Sequence, residues 1–80
     1  MYAIFNIIEG DYMYFKRLKD LREDNDLLQK DIAKKLGISQ QYYSQYELGN
    51  YTMPIELLIE LAKEYNVSLD YLVGLSDKKK

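Results

Sequence analysis

The chain has 80 residues, 48% of them hydrophobic and 30% charged, which suits one small globular domain with little core to spare. It contains no cysteine and no histidine, which excludes a disulfide framework, the usual zinc sites and imidazole-based acid–base or nucleophilic chemistry. A net charge of −2 and a pI near 5.0 argue against gripping nucleic acid by bulk charge. The imbalance is local, however. From Met13 to Met53 the basic residues slightly outnumber the acidic ones, so the excess acid lies outside that segment.

The first residues, MYAIFNII, are apolar and β-prone, but the run is too short to span a membrane and has no basic leader. They form an N-terminal extension, residues 1–12, that either pairs with its copy in a second chain or folds back over its own helices. A cytoplasmic location is expected.

The apolar pattern then predicts five short helices in a domain over residues 13–75. Asp11 is a candidate cap for a first helix running to about Asp24, with Tyr14, Leu18 and Leu21 on its inner face. Turn chemistry follows in Glu23-Asp24-Asn25-Asp26. A second helix, Gln29 to Leu36, buries Ile32, Ala33 and Leu36. Gly37 follows it at the left-handed position that glycine adopts cheaply. Ser39 caps a third helix, Gln40 to about Glu47, which Gly49 and Asn50 close. Pro54 opens a fourth helix with the apolar set Ile55, Leu58, Leu61 and Ala62. Ser68 caps a fifth, Leu69 to Val73, ended by Gly74. Residues 76–80 form a basic tail whose end, Lys78-Lys79-Lys80, is expected to fray.

The third helix poses the functional question. Its stretch, GISQQYYSQYELGN, holds three tyrosines and three glutamines but no basic residue. Tyr43 and Tyr46, three apart, take the inward positions. Gln40, Gln41, Tyr42, Ser44 and Gln45 are left facing out, a surface neither oily nor charged.

Two short helices joined by Leu36-Gly37-Ile38-Ser39 have the sequence shape of a helix-turn-helix. Together with RLKDLRED (17–24), QKDIAKKLGIS (29–39), SQYELGN (44–50) and PIELLIELAKEYNVSLDYLVG (54–74), the chain resembles the lambda-repressor-like Xre/Cro family of transcriptional regulators. The resemblance implies an all-α, five-helix DNA-binding domain whose third helix lies in the major groove. Gln40, Gln41, Tyr42, Ser44 and Gln45 would then contact base edges, the glutamine amides matching adenine N6 and N7. Gln29, Asn50 and Tyr51 would contact the DNA backbone. Arg22 and Glu47 match a structural ion pair between the first and third helices of such domains.

The resemblance further implies a double-stranded DNA operator and a homodimer, with repression as the expected outcome. Leu69, Tyr71, Leu72 and Leu75 are candidates for dimer contacts or for the core. No cofactor, small-molecule substrate or metal cluster is legible, and neither a phosphate-cradling loop nor an activated nucleophile suggests an enzyme. Control is expected from a partner, from concentration or from degradation. The alternative reading is a protein-interaction module on the same scaffold, an antitoxin-like or anti-repressor component.

Three departures from the family pattern shape the expectation. Leu28 stands where a threonine or serine cap is common. The loop at Leu48-Gly49-Asn50-Tyr51-Thr52 lacks the usual lysine or arginine, and no residue of the third helix is basic. Modest affinity per protomer and a shallow salt dependence follow.

Overall fold

The computed structural model describes residues 15–80. Among them the architecture is all-helical, with helices α1 (Lys16–Asp24), α2 (Gln29–Leu36), α3 (Gln40–Leu48), α4 (Ile55–Tyr65) and α5 (Leu69–Val73). The N-terminal extension, the expected cap Asp11 and the inward-facing Tyr14 lie outside the described residues. Phe15 is extended and precedes α1 without a side-chain cap, so the helix begins later than the cap at Asp11 would place it. Phe15 is itself buried and joins Leu18 and Leu21 in the core.

That core draws on every helix. Leu18 and Leu21 of α1, Ile32 and Ala33 of α2, Tyr43 and Tyr46 of α3, Leu58, Leu61 and Ala62 of α4 and Leu72 of α5 are all buried. Met53 fills the space under the loop that follows α3. The helix α2 packs on α3, α4 on α5, and α1 spans both α3 and α5. Leu72 is fully buried, so it belongs to the core, whereas Leu75 stands in solvent. Ile55 departs from the expected α4 stripe. It is 50% exposed because it is the first helical residue, ahead of the turn that meets the core.

The turns explain how five short helices stay oriented. Gly37 sits at φ +74°, where a Cβ would be strained by the backbone alone, since nothing else approaches the position. The Ile38 N–H then reaches back to the Ala33 carbonyl at 3.0 Å, closing α2. Ser39 starts α3 at once, its Oγ accepting from the Tyr42 N–H at 3.0 Å. Asn66 ends α4 in the same left-handed region at φ +57°, which asparagine tolerates. At the start of α2, Leu28 offers no side-chain acceptor. Instead the Asp31 carboxylate accepts from the Leu28 N–H at 2.9 Å, which supplies half of a capping box.

The C-terminal residues are tied down rather than frayed. Arg17 donates to the carbonyls of Tyr71 and Ser76, each at 2.6 Å, while its guanidinium lies 4.0 Å from the Tyr71 ring centroid. The Lys79 carbonyl accepts from the Ser68 N–H, so even the lysine run folds back along α5.

One group in this core is unsatisfied. The Tyr65 hydroxyl is buried with no hydrogen-bond partner among the described residues. Removing a stranded hydroxyl relieves a desolvation penalty of about 1–3 kcal/mol, so Tyr65→Phe is expected to leave stability unchanged or raise it. Urea unfolding of the two proteins is the check, and a loss above about 1 kcal/mol would reveal a hydroxyl that is engaged after all.

Candidate nucleic-acid interface

The turn angles α3 across α2 so that one end of α3 is open to solvent and the other is anchored. Gln40, Gln41 and Tyr42 are exposed in the first turn, with Ser44 and Gln45 partly covered behind them. Tyr43 and Tyr46 point inward and are buried. This division leaves the amides of Gln40 and Gln41 in water at the start of the helix.

The anchor is Glu47, a buried carboxylate that accepts hydrogen bonds from three residues. Arg22 of α1 holds it with a two-pronged contact, Nε to Oε2 at 2.7 Å and Nη2 to Oε1 at 3.1 Å. The Tyr43 hydroxyl donates to Oε2 at 2.6 Å, and the Gln29 amide donates to Oε1 at 3.0 Å. Arg22 also donates Nη1 to the Leu27 carbonyl at 2.8 Å. Glu47 thereby joins α1, the start of α2 and the end of α3. Burial pushes its carboxyl up, but the bonds from Arg22, Tyr43 and Gln29 outweigh that and hold it below its ordinary value. Burial and the same carboxylate push the Tyr43 phenol well above its usual range, so the hydroxyl remains a donor.

The depressed carboxyl makes stability depend on pH. The unfolded chain takes up this proton near pH 4.5 while the folded chain resists it, so protons favour unfolding. The stabilisation is complete above about pH 4.5 and is lost as pH falls through the folded value. Urea midpoints are expected to drop between pH 6 and pH 3, and a Glu47→Gln variant should show a smaller drop. An equal drop in both proteins would assign the acid sensitivity to other carboxylates.

Each residue proposed from sequence for the DNA backbone has a place here. Gln29 is the first residue of α2, half-buried, with one amide hydrogen already directed at Glu47. Asn50 and Tyr51 lie exposed in the loop after α3, whose Gly49 takes φ +82°. Asn50 donates Nδ2 to Gln45 Oε1 at 2.7 Å. The Tyr51 ring packs on Tyr42 and Tyr46, with centroids 5.2 and 6.3 Å apart, and Tyr42 meets Tyr46 edge-on at 5.5 Å. Sequence reasoning did not find this three-ring cluster, nor the Gln29 and Tyr43 bonds to Glu47. Among the described residues no group of His, Cys, Asp or Glu is placed to hold a metal ion, and no helix is long and apolar enough to cross a membrane.

The order of helices, the tight turn between α2 and α3 and the solvent-facing start of α3 agree with the result of comparison. A helix-turn-helix family model matches residues 18–72. The chain belongs to the lambda-repressor-like, Xre/Cro helix-turn-helix family. It is 40% identical over 65 residues to the uncharacterized HTH-type transcriptional regulator YobD of Bacillus subtilis, covering 81% of this chain and 58% of that protein. It is 34% identical over 65 residues to the cryptic phage CTXphi transcriptional repressor RstR of Vibrio cholerae, covering 81% of this chain and 59% of the repressor. It is also 37% identical over 62 residues to the antitoxin PezA of Streptococcus pneumoniae, covering 78% of this chain and 39% of the antitoxin. The chain thus spans less than two thirds of the length of these relatives. No solved structure matches it.

Proposed function

We propose that this protein is a sequence-specific DNA-binding transcriptional regulator, a cytoplasmic repressor that acts as a homodimer and reads the major groove with α3. The observation that carries the reading is the exposed, uncharged amide pair Gln40 and Gln41 at the start of a helix whose far end is fixed by Glu47. A glutamine amide pairs a donor with an acceptor, as adenine N7 and N6 require, and each such contact is worth about 1–3 kcal/mol of discrimination. Ser44 and the half-exposed Tyr42 extend the reading face, the ring suiting a thymine methyl.

Backbone contacts fall to Gln29, whose amide keeps a second hydrogen beside the free N–H groups that open α2, and to Asn50 and Tyr51 in the loop. With so few charged contacts, a dimer spanning half-sites about 34 Å apart supplies the affinity that one protomer lacks. The names of the relatives, a transcriptional regulator and a phage repressor, support regulation rather than catalysis.

Titration of a mixed-sequence duplex at low salt tests the reading. Binding is expected, with a salt slope shallower than about −5, the value for roughly six neutralised phosphates. The second reading, a protein-binding module, draws on the similarity to an antitoxin and on the exposed Leu48, Ile55 and Ile59. It predicts no DNA affinity even at low salt.

A further inference from the structure

The loop after α3 carries no basic residue, yet it is fastened to the reading helix at several points. The Gln45 carbonyl accepts from the Asn50 N–H at 3.0 Å and lies 3.4 Å from the Tyr51 N–H. The side chains of the same two residues join through Asn50 Nδ2 and Gln45 Oε1 at 2.7 Å. Next to them the Tyr51 ring closes on Tyr42 and Tyr46. Just beyond, Met53 enters the core, so both ends of the loop are fixed.

A glutamine reads adenine by using both ends of its amide on one base. Gln45 has one end engaged by Asn50, and exchanging the O and N ends of both amides keeps the side chains joined. From this geometry we infer that Gln45 is a positioning residue: it acts through Asn50, holding the loop so that Asn50 and Tyr51 face the DNA backbone, while base reading falls to the rest of that face, Gln40, Gln41, Tyr42 and Ser44. The inference rests on the DNA-reading proposal and divides the outward face of α3 into readers and a clasp. It also explains how a loop without lysine or arginine stays in register, since the fastening replaces long-range attraction with fixed geometry.

The test uses the full 80-residue chain and the half-site that it selects from random duplexes. Gln45→Ala, Asn50→Ala and the double variant are titrated against that half-site and every single-base-pair change in it. Each single variant is expected to weaken all of these duplexes by one common factor, roughly three- to tenfold, the effect of one side-chain hydrogen bond. The double variant should bind no more weakly than Asn50→Ala alone, because Gln45 acts only through Asn50. Amide hydrogen exchange without DNA should quicken at Asn50 and Tyr51 in Gln45→Ala. A preference relaxed at a single base pair, or additive losses in the double variant, would overturn the inference and make Gln45 a direct reader. If the wild type selects no DNA, the functional proposal fails separately. Exchange alone then decides the clasp, and unchanged rates at Asn50 and Tyr51 would overturn it.

Discussion

Replacing Glu47 with alanine is expected to lower stability by about 3–5 kcal/mol, the cost of breaking a buried ion pair from one side. The substitution strands the Arg22 guanidinium, which is only 9% exposed, and deprives the Tyr43 hydroxyl and the Gln29 amide of their acceptor. A domain of this size has a total stability of about 4–12 kcal/mol, so the loss takes from roughly a quarter of it to all of it. Urea titration at pH 7 measures the loss. Replacing both members, as in Arg22→Met/Glu47→Leu, should recover much of it, because neither charge is then left buried. A loss under 1 kcal/mol for Glu47→Ala would mean that the three bonds converging on the carboxylate contribute little beyond their desolvation cost.

The second large effect is functional and should leave stability untouched. Gln40 and Gln41 are exposed and hold no core position, so the Gln40→Ala/Gln41→Ala variant should unfold within about 0.5 kcal/mol of the wild type. Its binding to a selected operator should nevertheless fall by at least roughly 30-fold, the sum of two amide contacts at the low end of their range. Fluorescence anisotropy with the selected duplex measures this. Wild-type affinity in the variant would remove the amide pair from the reading face. Because a dimer presents each change twice, the observed loss should exceed the per-half-site figure.

Local chemistry made much of this fold legible in the sequence. Gly37, Ser39, Gly49, Ser68 and Gly74 mark helix ends because a cap or a left-handed residue is a property of one position and its near neighbours. The spacing of Tyr43 and Tyr46 placed them inside, where they are found. Periodicity misjudged the helix entrances. It assigned Ile55 to the core, although a first-turn residue has no turn ahead of it to pack against, and it passed over Phe15.

The candidate site was legible only as a surface. Arg22 and Glu47 were paired through resemblance. That Gln29 and Tyr43 also converge on Glu47 depends on three helices meeting, which no linear spacing encodes. The Gln45–Asn50 bond and the packing of Tyr51 on Tyr42 arise because the left-handed Gly49 turns the chain back over α3. Read in line, those side chains look like independent solvent-facing groups. The capture of Arg17 by the carbonyls of Tyr71 and Ser76 is hidden for the same reason, since its partners lie at the other end of the chain.

The amide face at the start of α3 is proposed to read DNA bases. Selection from a randomised duplex pool at low salt, run with the wild type beside Gln40→Ala/Gln41→Ala, tests it most directly. The wild type is expected to enrich a two-fold-symmetric site with adenine contacts in each half, and the variant, folded to the same degree, to fail to enrich it. A folded wild type that enriches nothing, or a variant that enriches the same site equally well, would contradict that reading.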